Sequence, residues 1–167
     1  HNAICLMIKK YKWSLLFGSL LSLSPIMIGL ILWNNLPVQI PTHFSTGNVP
    51  DGWSNKPTAV FGLPIFLFAM MWFCFLIIST DPRRKNISSK LIRSLIWFMA
   101  VLSPVVICSS YAIALGINVN ISMIVYLIIG VMLMIIGNYL TKVKQNYSTG
   151  IRIPWTLFSE ENWNRTH

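Results

Sequence analysis

Residues 13–33 read WSLLFGSLLSLSPIMIGLILW, from Trp13 to Trp33, 21 residues without a charge. At about 1.5 Å per residue such a helix spans a hydrocarbon core of about 30 Å. Lys9, Lys10 and Lys12 stand just before it, as in a signal peptide. The apolar run is too long for one, however, and no small-residue cleavage site follows. The stretch therefore reads as a retained first membrane span, and Pro25 in its middle is expected to kink it. The chain begins at His1, but Met7 followed by Ile8 and the lysines reads as a natural start.

The same pattern recurs along the chain. Ala59–Ile78, Ser94–Leu115 and Asn120–Leu140 are three further uncharged runs, with Pro104 inside the third span. Continuous runs of this length match helices, because barrel strands are shorter and alternate, and a helix satisfies its own backbone polar groups in lipid. The composition agrees: 54% of the 167 residues are hydrophobic and 10% charged, against about 25% charged in ordinary globular domains. The expected fold class is an all-α membrane protein, a polytopic helical bundle with four transmembrane helices in this chain. The formal net charge of +9 does not point to nucleic acid, since no basic-aromatic face or binding motif accompanies it. Cys5, Cys74 and Cys108 are an odd number without metal-site spacing and read as small buried hydrophobes.

The basic residues lie between the spans. Twelve flank the spans at one side, before span one, between spans two and three, and after span four; the other side has only Lys56. The positive-inside rule puts the twelve in the cytoplasm. Both ends of the chain are then cytoplasmic and the loop at residues 34–58 extracytoplasmic. The expected organisation is a cytoplasmic N-terminus at 1–12, a span–loop–span region at 13–78, a cytoplasmic basic loop at 79–93, spans three and four at 94–140, and a cytoplasmic segment at 141–167.

The outer loop is too long for a tight connector and is expected to hold a small structure of its own. Pro50-Asp51-Gly52 reads as its turn, with proline presetting φ and glycine taking positive φ. Candidate residues for meeting something from outside are Pro37, Pro41, His43, Gly47, Asp51, Gly52, Trp53 and Lys56. Trp53 and Phe44 could equally be anchors at the lipid headgroups. His43 and Asp51 alone are too few ligands for a metal, and no metal or cofactor is expected.

The span interiors contain no ionisable residue of the Asp, Glu, Lys, Arg or His types, which weighs against an ion-coupled transporter. Their polar residues are Ser22, Ser24, Ser103, Ser109, Ser110 and Asn138. Gly18 with Ser22, and Ala112 with Gly116, have the small-residue spacing of close helix packing. Met123, Met132 and Met134 read as apolar filler. No nucleophile–base arrangement or catalytic motif is visible, so an enzyme is not expected.

The closing stretch is different in kind: NYLTKVKQNYSTGIRIPWTLFSEENWNRTH, residues 138–167. Ser159 before Glu160 and Glu161 is a helix start, with a capping hydroxyl and acids at the positive helix end. Gly150 permits a bend, and Pro154 keeps Ile153 extended. The residues Asn138, Leu140, Lys142, Lys144, Asn146, then Gly150, Ile151, Arg152, Pro154, Trp155, Thr156, Leu157, then Trp163, Thr166 and His167 resemble the signature segment of the SdpI family of bacterial membrane proteins. The outer loop, LPVQIPTHFSTGNVPDGWSNK, resembles the DUF1648 region often found at the front of such proteins. With the four spans the resemblance covers essentially the whole chain. Thr141 and Gln145 stand where many members have proline, and the family usually continues past the Thr-His ending into two further spans.

What the resemblance implies is immunity: protection against a membrane-active peptide toxin, with signalling through a transcriptional repressor held at the membrane. The outer loop would meet the secreted toxin and the cytoplasmic signature the repressor, with no direct contact to nucleic acid. Two other readings stay open on the residues themselves. One is a transporter or permease-like subunit. The other is a structural membrane protein whose basic loops bind anionic lipid.

Overall fold

A computed structural model of the chain describes residues 2–140, 157 and 159–167. The elements in order are α1 (Asn2–Lys10), α2 (Lys12–Ile31), β1 (Gln39–Ser45), β2 (Val49–Asn55), a π-helical turn (Thr58–Gly62), α3 (Leu63–Thr80), a 3-10 turn (Arg84–Asn86), α4 (Ser89–Ala114), α5 (Ile121–Leu140) and α6 (Glu160–Thr166). Four helices are long and apolar enough to cross a membrane: α2, α3 with its π turn, α4 and α5. The expected helical bundle is thus observed. The small structure expected of the outer loop is a two-stranded antiparallel sheet.

The bundle is organised on α2. Its buried residues are Leu15, Gly18, Ser22, Pro25 and Gly29, spaced three and four apart so that they form one face. Small side chains on that face let α4 come close. A Cβ on Gly18 would meet Ile96 at 3.3 Å, Met71 at 3.4 Å and Ala100 at 3.5 Å, ordinary to tight packing. On Gly29 it would stand 2.6 Å from Val60 and 2.8 Å from the Tyr111 hydroxyl, so nothing larger than glycine fits. Gly18 and Ser22 therefore pack as expected, and Gly29 extends the stripe beyond the expected pair.

Polar groups in the spans are used between and within helices. Pro25 has no N–H, which leaves the carbonyl of Leu21 without its helical donor; the Ser24 hydroxyl donates to that carbonyl at 2.6 Å. The helix runs on through Pro25. Ser103 of α4 donates to the Ser22 carbonyl at 2.7 Å, and Tyr111 to the Pro25 carbonyl at 3.1 Å. Trp72 of α3 donates to the Ser19 hydroxyl of α2 at 3.0 Å. In lipid, where water cannot compete, such bonds fix helix register.

Three expectations are corrected. Ala112 and Gly116 do not form a packing pair: Gly116 has φ +87° and open space around it. Its N–H bonds Ile113 O, and that of Ile117 bonds Ala112 O, the paired closure that ends a helix on glycine. The helix that carries the third span starts earlier than its apolar run, because Ser88 caps α4 through the Lys90 N–H at 3.2 Å. Lys90 and Arg93 thus ride on the first turns of a 26-residue helix. Finally, Cys5 is exposed and Cys74 and Cys108 only half-buried. Cys74 and Cys108 lie in membrane spans, where the bilayer supplies an apolar solvent, so their thiols need not face the protein interior.

Two buried clusters mark the two ends. Met7, Tyr11, Phe75, Ile78, Ile87, Leu91 and Trp163 belong to the cluster that reaches the basic end. Leu36, Ile40, Ala59, Val60, Ile107 and Tyr111 pack under the hairpin at the other. The N-terminal residues, expected only as a cytoplasmic leader to the first span, form α1 and join the first cluster through Met7.

Candidate functional site

At the hairpin end, β1 and β2 pair antiparallel from Gln39–Asn55 to Ser45–Val49. Both strands are sheet edges, which is why Pro41 and Pro50 are tolerated within them. The buried Ile40 and Pro41 seat the hairpin on the bundle. Lys56 fastens its far end: its ammonium donates to the Trp33 carbonyl at 2.8 Å and lies 5.1 Å from the Trp33 ring centre.

The turn is not where the sequence placed it. Pro50, Asp51 and Gly52 lie within β2, and the chain reverses between Ser45 and Val49, with Gly47 at φ +83° and Asn48 at φ +65°. Glycine and asparagine are the residues that enter this left-handed region most readily. Gly52 serves a different purpose. A Cβ there would lie 2.8 Å from the His43 Cβ, at a point where the strand pairing slips around His43, so the glycine permits close backbone approach.

The slip leaves Asp51 out of the pairing ladder and brings its carboxylate onto His43 Nδ1. Both side chains are exposed, as are Pro37 and Gly47. On the same strand as Asp51, Val49 at 57% and Trp53 at 54% are also exposed, and Val38, just before β1, is 74% exposed. Among the described residues no three metal-ligating side chains come together.

Asn48 has a second role, which the sequence reading missed. Its side-chain oxygen accepts the Ser122 N–H at 2.8 Å, across 74 residues of chain, while Asn120 accepts the Met123 N–H at 3.1 Å. The hairpin tip thereby caps the start of α5. The principal neighbour of α5 is α4, and much of its surface, such as Tyr126 and Met134, faces outward. The Gly47-Asn48 dipeptide is a turn signal in its own right, but nothing local says which helix the asparagine reaches.

At the opposite end, α6 starts as expected: Ser159 accepts the Asn162 N–H at 3.3 Å, and Glu161 pairs with Arg165 one turn on. Seven residues make a marginal helix in water. Trp163 holds it, with 0% exposure, inside the cluster of α1, α3 and α4 residues. His167 stacks on its ring at 4.1 Å between centroids. Asn138 is exposed near the end of α5. Lys142, Lys144, Asn146, Gly150, Arg152, Pro154, Trp155 and Thr156 lie outside the described residues. Asp81, counted in the sequence only as one acid among many bases, is buried at 3% and accepts the Arg83 N–H at 2.8 Å, shaping the turn that leaves α3.

Residues 20–68, running from mid-α2 through the hairpin into α3, match the domain of unknown function DUF1648. Residues 142–167 match the SdpI/YfhL protein family. The chain is also 32% identical over 141 residues to the immunity protein SdpI of Bacillus subtilis (strain 168), an alignment covering 82% of this chain and 64% of that protein. The match at 142–167 and this alignment together make the chain similar to the SdpI/YfhL family. It spans a little under two thirds of the length of that relative. No solved structure matches it. The two matched regions fall on opposite ends of one bundle: the DUF1648 match holds the hairpin, and the SdpI/YfhL match includes α6.

Proposed function

We propose that this chain is an integral membrane immunity protein that protects against a membrane-active peptide toxin and reports its arrival to the cytoplasmic side. The likeness to an immunity protein supports the first half. The observation that carries the second is the Asn48 cap on α5. A peptide pressed against the exposed Val49 and Trp53 of β2 would act on the same hairpin whose tip holds the start of α5. That helix ends where the signature segment begins. Loss or tightening of the cap therefore changes how α5 is held at one end and how the signature is presented at the other. The hairpin is extracytoplasmic in this reading, and the basic end, with both chain termini, is cytoplasmic. The natural occupant of that basic surface is a sequestered transcriptional repressor. The role is one of binding and presentation, not catalysis.

The test is expression in a toxin-sensitive bacterium. Correctly inserted protein should raise survival, and Arg152→Ala should reduce protection while leaving insertion intact. Unchanged survival despite full insertion sinks the immunity reading for that toxin. Wild-type behaviour of Arg152→Ala would reduce the signature to simple lipid contact.

A further inference from the structure

Helices α4 and α5 do not close on each other along their whole length. Between them lies a cavity of about 500 Å³, open on one side, whose walls include Trp97, Val101, Leu127 and Val131 and whose end is formed by Arg93 and Ser94. Both helices are membrane spans, so this opening faces acyl chains, not water. From Arg93 to Val101 the groove runs about 12 Å along α4, enough to seat a good part of one extended chain.

Its polar end is the Arg93 guanidinium, which meets no counter-charge among the described residues. The Ser94 hydroxyl donates to its own helix at Lys90 O, 2.8 Å away. The Arg93 guanidinium lies 5.4 Å from the centre of the Tyr11 ring, and Tyr11 is itself buried and bonded to Ser89. Stacking of this kind fixes the plane of an arginine and leaves its N–H edges free to bind an anion. Among the described residues Arg93 has no acidic partner within ion-pair distance. It lies on the strongly basic side of the chain, with Lys90, Arg84 and Lys85 close in sequence.

We propose that the α4–α5 groove is a binding site for an anionic phospholipid, with an acyl chain along Trp97, Val101, Leu127 and Val131 and the phosphate on Arg93. An apolar channel that opens to the bilayer and ends in one oriented cation fits a single anionic lipid, which brings an acyl chain and a phosphate on the same molecule. Juxtamembrane cations favour anionic headgroups, and one such contact corresponds to about a fivefold preference.

The test uses the full chain in vesicles containing brominated-chain phosphatidylglycerol or brominated-chain phosphatidylcholine. Quenching at Trp97 is taken as the difference between wild type and Trp97→Phe. The expected result is about fivefold stronger association of the anionic lipid, lost in Arg93→Gln and largely kept in Arg93→Lys. Equal quenching by the two lipids in the wild-type protein overturns the proposal without reference to any variant. So does an unchanged preference in a folded Arg93→Gln protein. A Trp97 shielded from both lipids also overturns it, because the groove is then filled by protein, such as a second copy of the chain.

Discussion

Replacing Gly29 by alanine adds one methyl group at the tightest point of the bundle. The new Cβ would sit 2.6 Å and 3.0 Å from the two methyls of Val60 and 2.8 Å from the Tyr111 hydroxyl. Neither neighbour has room to retreat. Val60 is fully buried in the π-helical turn, and Tyr111 is buried with its hydroxyl on the Pro25 carbonyl. Overpacking of this kind costs about 1–3 kcal/mol, and losing an interhelical hydrogen bond in a membrane protein adds about 0.6 kcal/mol. The expected loss is roughly 2–3 kcal/mol, or about 30- to 150-fold in the unfolding equilibrium. Reversible unfolding in mixed micelles measures it. Gly130→Ala is the control, because nothing lies within 4 Å of its Cβ position, and it should be neutral or slightly stabilising. Val60→Ala in the Gly29→Ala background should recover part of the loss, since it removes both methyls that the new Cβ strikes. If Gly29→Ala and Gly130→Ala shift stability equally, or if Val60→Ala recovers nothing, the close approach of α2 to α3 and α4 is wrong.

Three further outcomes follow from the two ends of the bundle. Asn48→Gly keeps the left-handed turn but removes the cap on Ser122, so hydrogen exchange at the Ser122 amide should rise about fivefold, the equivalent of a cap worth about 1 kcal/mol; unchanged exchange would mean that the hairpin does not hold α5. Trp163→Ala removes the fully buried anchor of α6, a truncation worth about 3–5 kcal/mol in a core, more than a seven-residue helix can supply for itself. Residues 160–166 should then become protease-sensitive while the four spans stay protected, and a resistant α6 would show that Trp163 is not what retains it. Gly52→Ala drives a Cβ to 2.8 Å from that of His43, so β1–β2 amide protection and survival in the toxin assay should both fall, whereas intact protection would contradict the strand register.

The charge-free runs determined the spans, because burying 20 consecutive apolar residues in lipid leaves the backbone no alternative to a helix. The Ser159 cap and the Gly18–Ser22 contact were legible for a similar reason: capping and small-residue packing depend on residues a few positions apart. The hairpin turn was misplaced because Pro-Asp-Gly and Gly-Asn are both good turn formers locally. What decided between them was the seating of Ile40 and Pro41 on the bundle and the approach of Gly52 to His43, partners that lie far along the chain or across the strand. The same holds for Gly116, whose role depends on where α4 stops and not on its spacing from Ala112.

By itself, then, the sequence determined which segments enter the membrane, which side carries the positive charge, and the family signature, all properties of composition and short-range order. Only the tertiary structure decided that Gly29 faces Tyr111, that Asn48 reaches Ser122, that Trp163 closes the basic end, and that α4 and α5 part around a groove ending at Arg93. Each of these joins residues separated by at least about 30 positions or by a whole helix, and no local propensity carries information over that distance.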